Sequence, residues 1–401
     1  MNISDFVIDE NGKLTEYLGC GGAVVIPDGV KVIDAYVFNY MDTLETLVLP
    51  DSIEAIDESN FEECENLRYN EWGGAKYLGN EESPYLVLIS AEEGLTELAV
   101  KEGCKIIFGN ALANNEKLSR LSLPASVKHI GFMAFYSCTS LCELALPEGV
   151  EHIDACAFYD TGIERLVLPE GLKFIGFDAF STVSLKEVIL PSGIQHIGNG
   201  AFTHNDIKFN EYMGGYYLGS KNEPYLCFMK PCDGDVAELS LHESTRLIYS
   251  SAFSKCAKLK SVKLPEGLME IGQDAFEECE ALGSIIIPES VTHIGENAFS
   301  CCYELKDVKL PSGRVELESC AFLACRSIES IELGEAIIGD NAFEGCEGLK
   351  SFTAGAGSNL YGDYIFSECT ALEEVTLPKK LENYFTAEEF QDSESVRIKY
   401  V

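Results

Sequence analysis

Cysteine is the residue of this chain with the most chemistry to offer, because thiols bind metals, form disulfides and act as nucleophiles. There are sixteen cysteines in 401 residues. Zinc sites are typically built from C-x2-C pairs, and no such pair occurs. Half of the cysteines instead recur three residues after a phenylalanine, a spacing that indicates a ladder of buried thiols. The ladder comprises Cys64, Cys138, Cys256, Cys279, Cys302, Cys325, Cys346 and Cys369.

Histidine is the other candidate ligand, and four of the six histidines share one place, immediately before an isoleucine. In stacked coils such residues would lie about 5 Å apart, which is compatible with a metal pair or a pH-sensitive strip. The alternative is an outward-facing polar position that tolerates histidine. Phe174 and Glu270 occupy the same place, which favours tolerance. The four residues are His129, His152, His196 and His293.

The common catalytic and nucleotide-binding motifs are absent. We find no G-x4-G-K-[ST], no G-x-S-x-G and no H-E-x2-H. His242-Glu243 begins the last of these, but Arg246 stands at the second ligand position. Asp9 to Gly12 and Asp233 to Asp235 resemble parts of calcium loops, but they lack the alternating ligands and are interpreted as turns. We therefore expect no catalytic residue, no metal, no cofactor and no enzymatic activity.

A short repeat positions these residues. It reads AF-x2-C-x2-L-x2-L-x-L-P-x2-V-x2-I, and most steps between its phenylalanines are 22 or 23 residues, within the range of leucine-rich repeats. Leu112 occupies the phenylalanine position once. The phenylalanines are Phe38, Phe61, Phe135, Phe158, Phe180, Phe202, Phe253, Phe276, Phe299, Phe322, Phe343 and Phe366.

Each part of the repeat has a mechanical interpretation. Leu-x-Leu places two side chains on one face of a short strand, and proline ends that strand because it has no amide to donate. Val-x2-Ile begins a second extended side, and Ala-Phe fills the interior. The sequence predicts a β-rich solenoid, a right-handed leucine-rich repeat coil array of about 13 repeats of 22–23 residues with end caps.

Two insertions interrupt the period, and they resemble each other. Tyr77-Leu78-Gly79 matches Tyr217-Leu218-Gly219, and Pro84-Tyr85-Leu86 matches Pro224-Tyr225-Leu226. Both are rich in tyrosine and glycine, so each is predicted to form a projecting β-hairpin. A single duplicated block would also explain their similarity.

The predicted organisation has three parts. Residues 1–23 are expected to form an N-terminal hairpin cap around the turn signal Asn11-Gly12. Residues 24–377 form the solenoid, with insertions at about 66–93 and 206–233. Residues 378–401 lose the repeat and are predicted to form the C-terminal cap, in which Phe390 is a last, degenerate core residue.

The repeat closely resembles the BspA-like, treponemal-type leucine-rich repeats of bacterial surface proteins. The segment from Leu305 to Pro311, LKDVKLP, opens one such unit. The Ala-Phe pair and the proline are not general features of leucine-rich repeats, and the paired Tyr-Leu-Gly and Pro-Tyr-Leu insertions also look like those of this family. The resemblance implies adhesion or protein recognition at a microbial surface, and it brings no catalytic residues.

Net charge and the termini limit the partners and the compartment. The formal charge is −37, which argues against nucleic acid and anionic membranes and favours a basic partner or simply a solvated surface. The first residues lack the features of a signal peptide, and no apolar run is long enough to span a membrane. Together with the many thiols, this predicts a cytoplasmic protein. A leader preceding the given sequence would make it secreted or surface-displayed.

The candidate binding residues fall into two groups. Outward positions on the leucine strands provide an apolar strip, Ala145, Val167 and Ile189, beside Arg120 and Arg165. β-branched residues also favour strands without any binding role. The rival group consists of aromatic residues of the insertions, which are enriched in binding hot spots but also pack hairpins: Trp72, Tyr77, Tyr212 and Tyr217.

The sequence therefore predicts a non-enzymatic recognition scaffold for a protein, such as a host or surface protein, or for a glycan. We expect a monomer that neither binds nucleic acid nor inserts into a membrane. The alternative is a structural or self-associating repeat array without a dedicated ligand, which an uncovered strand edge would favour.

Overall fold

A computed structural model describes residues 5–382, 390 and 396–401. Within them the chain is a β-solenoid of short strands and turns, and the predicted fold class is confirmed. One 3-10 helix, Lys379–Leu381, follows the last repeat. No helix of the described residues is both long and apolar enough to cross a bilayer. The chain forms two compact units, Met1–Ile194 with Gly200–Lys208, and Gln195–Asn199 with Phe209–Val401.

The first unit carries two kinds of strand, which we call leucine strands and isoleucine strands after their core residues. Strands of one kind stack in parallel on neighbouring coils. The leucine strands are Gly22–Val25, Leu44–Val48, Glu97–Ala99, Arg120–Ser122, Arg165–Val167 and Glu187–Ile189. The isoleucine strands are Lys13–Tyr17, Val32–Ile33, Ala55–Ile56, Val87–Ala91, Ile106–Ile107, His129–Ile130, His152–Ile153 and Phe174–Ile175.

The second unit repeats the arrangement. Its leucine strands are Glu238–Ser240, Ser261–Lys263, Ser284–Ile286, Asp307–Lys309, Ser330–Leu333, Ser351–Ala354, Glu374–Leu377 and Arg397–Tyr400. Its isoleucine strands are His196–Ile197, Cys227–Pro231, Leu247–Ile248, Glu270–Ile271, His293–Ile294, Val315–Leu317, Ala336–Ile338 and Asn359–Leu360.

The solenoid has about 16 turns, more than the thirteen repeats that carry the phenylalanine motif. The additional turns lack a recognisable Ala-Phe pair. Lys13–Tyr17 of the N-terminal hairpin pairs in parallel with Val32–Ile33 and so forms a first coil. Val87–Ala91 and Cys227–Pro231, the last strands of the two insertions, pair in parallel with the isoleucine strands that follow them.

Both insertions form antiparallel hairpins, here called the first and second hairpin. The first joins Asn70–Trp72 to Ala75–Leu78, and the second joins Asn210–Tyr212 to Gly215–Leu218. Ala75–Leu78 also pairs antiparallel with Val87–Ala91. Ala75–Leu78 thereby takes the hydrogen-bonding edge of Val87–Ala91. The isoleucine strand of the preceding coil, Ala55–Ile56, consequently belongs to a separate sheet.

Within each unit, phenylalanine rings stack from coil to coil along the core. Phe135 and Phe158 have ring centroids 5.0 Å apart and lie within 10° of parallel. Phe276 and Phe299 are likewise 5.0 Å apart, at 5°. This distance is close to the strand spacing, so backbone pairing and ring stacking are satisfied by the same geometry.

The ladder cysteines lie beside this stack. The Cys302 thiol donates to the Phe276 carbonyl of the preceding coil at 3.1 Å, and the Cys138 thiol donates to Leu112 at 3.1 Å. Asn205 occupies the same position in its repeat and donates to Phe180 at 2.8 Å. These side chains therefore link neighbouring coils by hydrogen bonds to backbone carbonyl groups.

The terminal segments are described in part. Phe6–Ile8 pairs antiparallel with Lys13–Tyr17 across the Asn11-Gly12 turn. Arg397–Tyr400 pairs in parallel with Glu374–Leu377, and the buried Phe390 ring lies 5.6 Å from Phe366. The rest of the predicted C-terminal cap, residues 383–389 and 391–395, lies outside the described residues.

Candidate partner-binding face

The predicted apolar strip lies on the leucine strands of the first unit. Arg165–Val167 and Glu187–Ile189 pair in parallel, with Val167 opposite Ile189. Val167 is 66% exposed, whereas Ile189 is half-buried. Ala145 is also exposed. The two strands therefore present an apolar pair to solvent, and its most accessible member is Val167.

The coil that carries Ala145 departs from the regular pattern. Residues 141–147 form no strand, although the repeat predicts one. The pair Glu97–Ala99 and Arg120–Ser122 is consequently a separate sheet from the pair that carries Val167. A surface cavity of about 960 Å³ lies at this coil, lined by Arg120, Glu143, Ala145 and Arg165 among others.

Charges alternate along the outward row that flanks the strip. Arg120 Nη2 lies 2.6 Å from Glu97 Oε2. Arg165 differs, since the described residues place no carboxylate oxygen within 4.0 Å of its guanidinium. The cavity is thus bordered by apolar surface, by the Arg120 guanidinium, which is paired with a carboxylate, and by the Arg165 guanidinium, which is not. The row is Glu97, Arg120, Glu143, Arg165 and Glu187.

The aromatic residues of the hairpins divide into buried and accessible ones. Tyr77 and Tyr217 are fully buried. Each lies edge-on to a neighbouring tyrosine at 5.4 Å, and burial raises the pKa of Tyr217 to about 12. The prediction that Tyr77 and Tyr217 contact a partner is therefore wrong, because both side chains form the cores of their own hairpins.

Trp72 and Tyr212 occupy matching places but differ in exposure. Trp72 is 48% exposed, and the Lys101 ammonium lies 3.5 Å from its ring centroid. Tyr212 is half-buried and packs against Tyr225 at 5.2 Å and His242 at 4.7 Å. Of the four aromatic candidates, Trp72 offers the most surface to a partner.

Comparison with known families identifies the repeat. The profile described as BspA type leucine rich repeat region matches residues 21–79, 92–214, 224–337 and 315–399, in six copies. The chain belongs to this family. BspA-type repeats are scaffolds typical of protein-binding or surface proteins. A search of curated protein sequences finds no match.

Solved structures resemble this BspA-type chain at low sequence identity. A leucine-rich repeat protein from Eubacterium ventriosum is 18% identical, with 82% of this chain and 95% of that chain covered and a TM-score of 0.40. One from Bacteroides ovatus is 21% identical, with coverages of 99% and 100% and a TM-score of 0.30. A leucine rich cell surface protein from Faecalibacterium prausnitzii is 21% identical, with coverages of 96% and 94% and a TM-score of 0.33.

Three of the four histidines at the shared position of the BspA-type repeats, His129, His196 and His293, lie close to carboxylates. His129 Nε2 lies 2.6 Å from Asp154, and its Nδ1 lies 3.4 Å from the Glu54 carbonyl. In the second unit, His196 lies 3.0 Å from Glu270 and His293 lies 3.4 Å from Glu318. No group of three or more His, Cys, Asp or Glu side chains suited to a metal ion occurs among the described residues.

His129 is more than a tolerated surface residue, since its side chain is only 13% exposed. Burial lowers its pKa, but the hydrogen bond and charge of Asp154, the Glu54 carbonyl and the charge of Glu58 together outweigh burial, and the pKa lies above the ordinary value of 6.5. His152, whose ring centroid is 5.9 Å away, has its pKa lowered by burial and by His129. The sequence offered one signal for this pairing, the acidic residue that follows His152-Ile153.

Proposed function

We propose that this BspA-type chain is a non-enzymatic scaffold that binds a protein partner through the leucine strands of its first unit. The contact residues are Ala145, Val167 and Ile189, with Arg120 and Arg165 at the adjoining cavity. The observation that carries the proposal is the 66% exposure of Val167 beside a guanidinium without a carboxylate partner. Such a patch gives a partner both apolar area to bury and a charge-assisted hydrogen bond.

Several features support a protein rather than a small molecule at this face. The repeats give a rigid surface on which side chains project at the spacing of the strands, and solenoids bind through extended faces of this kind. The cavity is shallow and bordered by positively and negatively charged side chains. Such a surface suits a polypeptide with apolar and acidic side chains. Arginine is also enriched at binding hot spots.

The test compares three immobilised proteins in quantitative affinity capture from extracts of host and producing cells. These are the wild type, the triple variant Ala145→Glu, Val167→Glu and Ile189→Glu, and the control Ile286→Glu. Ile286 occupies the same place in the second unit and has the same 66% exposure as Val167. We expect at least one protein to be retained by the wild type and the control and to be lost from the triple variant.

A partner that the triple variant retains as well as the wild type would place binding elsewhere and contradict the proposal. Capture of no partner would favour the structural array. In that case light scattering of the wild type should reveal self-association at increasing concentration. The folding of each variant is checked by circular dichroism, because a misfolded triple variant would lose any partner trivially.

A further inference from the structure

The first hairpin carries a cavity that the leucine-strand face does not use. It has a volume of about 370 Å³ and is lined by Trp72 together with Glu71, Gly73, Gly74, Ser90 and Glu92 among others. That volume lies within the range of small-molecule sites. We call it the Trp72 cavity, and its lining combines a large ring with two carboxylates, the Lys76 ammonium and two glycines.

The indole is held in place by a contact outside the cavity. The Lys101 ammonium lies 3.5 Å from the centre of the Trp72 ring and 5.7 Å from that of Tyr85, while Lys101 does not line the cavity. The Lys101 ammonium already makes the cation–π contact that the indole ring favours. A second cation stacked on the indole would be repelled by Lys101, which favours a neutral ligand.

The charged groups of the cavity are two carboxylates, Glu71 and Glu92, and one ammonium, Lys76. Glu71 and Glu92 are exposed, and no Lys, Arg or His nitrogen of the described residues lies within 4.0 Å of either carboxylate. Carboxylates accept hydrogen bonds and donate none when ionised. Two carboxylates and one ammonium suit a ligand rich in hydroxyl groups, and their net negative charge disfavours an anionic one.

A sugar ring meets these requirements together. One face of a pyranose presents C–H groups that pack against an aromatic ring, and its edge presents hydroxyls that donate to carboxylates. We propose that the Trp72 cavity binds a pyranose ring of a neutral glycan, with the indole as the stacking platform and Glu71 and Glu92 as hydroxyl acceptors. This site involves none of the residues of the proposed protein-binding face.

The second hairpin differs from the first at several positions that line the Trp72 cavity. There Tyr212 takes the place of Trp72, Met213 that of Gly73 and Cys232 that of Glu92. Met213 and Gly73 both have positive φ, +42° and +62°, so methionine is compatible with this turn. The second hairpin has a side chain in place of Gly73, it lacks one carboxylate, and Tyr216 takes the place of Lys76. We assign glycan binding to the first hairpin alone.

Tryptophan fluorescence reads out this site specifically, because Trp72 is the single tryptophan of the chain. The full chain is titrated with neutral oligosaccharides of gluco-, manno-, galacto- and N-acetylglucosamine configuration. We expect a saturable change in emission with at least one of them. Gly73→Met retains the fluorophore but adds a side chain to the cavity lining, and should weaken binding by roughly tenfold or more. Glu92→Gln should weaken it less, and Ile286→Glu should leave it unchanged.

Three outcomes would overturn the proposal. One is that no sugar of the panel changes the emission at millimolar concentration. Another is that Gly73→Met binds as well as the wild type while its thermal unfolding is unaltered. The third is that a lysine-rich peptide, titrated in parallel, is the only ligand, which would make the cavity a cation site. None of them bears on the leucine-strand face, whose test uses protein capture.

Discussion

At the scale of single residues, the thiols differ in burial: eleven are buried, three are exposed, and Cys301 and Cys320 are intermediate. Burial raises the pKa of Cys138 to about 11 and that of Cys104 and Cys279 to about 12. A protonated, buried thiol is a poor nucleophile. Cys20 and Cys142 are exposed, as is Cys232.

We therefore expect a maleimide at neutral pH to label the three exposed cysteines first and the buried ladder only after unfolding. Peptide mass spectrometry of the folded and urea-unfolded protein measures the labelling. Rapid modification of Cys302 in the folded protein would contradict the ladder. The sixteen thiols of the unfolded chain provide the control for reagent access.

The ladder hydrogen bond should also contribute to stability. Cys302→Ala removes the donor to the Phe276 carbonyl and leaves a small void. We expect it to lower the free energy of unfolding by about 1–2 kcal/mol. Cys302→Ser keeps a donor and should lose less. Urea denaturation measures both, with Cys142→Ala, at an exposed position, as a control that is expected to be near neutral.

The sequence predicted the cysteine ladder, but it did not predict that the hairpin tyrosines Tyr77 and Tyr217 are buried. A cysteine that recurs at a fixed distance from a core phenylalanine must share its side of the coil, so its burial follows from the period. Tyr77 and Tyr217 belong to insertions without such a period. Whether each ring faces its own hairpin or a partner depends on the pairing of three antiparallel strands, which no repeat specifies.

At the scale of the coil, a residue with left-handed backbone lies two positions after each of the twelve phenylalanines of the repeat. Glu63 has φ +54°, a region that costs an L-residue roughly 1–2 kcal/mol. Replacement by glycine removes that strain, partly offset by about 0.5–1 kcal/mol of unfolded-state entropy. We expect Glu63→Gly to stabilise the chain slightly. Glu65→Gly, in the same turn without positive φ, should destabilise it, as thermal unfolding can show.

His129 makes the coil sensitive to pH. Its two ring nitrogens face two acceptors, the Asp154 carboxylate and the Glu54 carbonyl, and both can donate only when the ring is protonated. Glu58 adds negative charge, whereas His152 opposes protonation. Because the pKa of His129 is raised in the folded chain, its stabilisation is complete below the unfolded value of 6.5 and is lost as pH rises through the folded pKa.

We expect His129→Gln to destabilise the chain more at pH 5.5 than at pH 8.5. The measurement is the difference in melting temperature between wild type and variant across that range. His152→Gln is the control, since its pKa is lowered and its difference should change in the opposite sense. An equal difference at both pH values would show that His129 does not titrate in this range.

At the scale of the whole molecule, the regular coils could be predicted from the sequence, whereas the places where the strand pattern breaks could not. The spacing of the phenylalanines defines the coil and its two strands. Residues 141–147 fit the repeat as well as their neighbours, yet they form no strand. The contribution of Val87–Ala91 to the solenoid was also hidden, because that strand lacks the Ala-Phe pair. Both features depend on how neighbouring coils stack, which the motif within one coil does not encode.

Charge is the property of the whole chain with the clearest consequence. Sixty-six acidic residues face 29 basic ones, so most carboxylates have no cation to pair with, and their mutual repulsion destabilises the folded chain at neutral pH. Exposed ion pairs such as Arg120–Glu97 are weakened by salt, but each contributes at most about 1 kcal/mol. Screening of the net repulsion should therefore dominate.

We expect the melting temperature at pH 7.5 to rise as NaCl increases from 20 to 300 mM, because the screening length falls from roughly 20 Å to below 10 Å over this range. Differential scanning calorimetry measures the shift, and KCl at equal ionic strength should give the same result. A fall in melting temperature would mean that the ion pairs between coils outweigh the excess of negative charge. Arg120→Gln, which removes one such pair, should then show a smaller fall than the wild type.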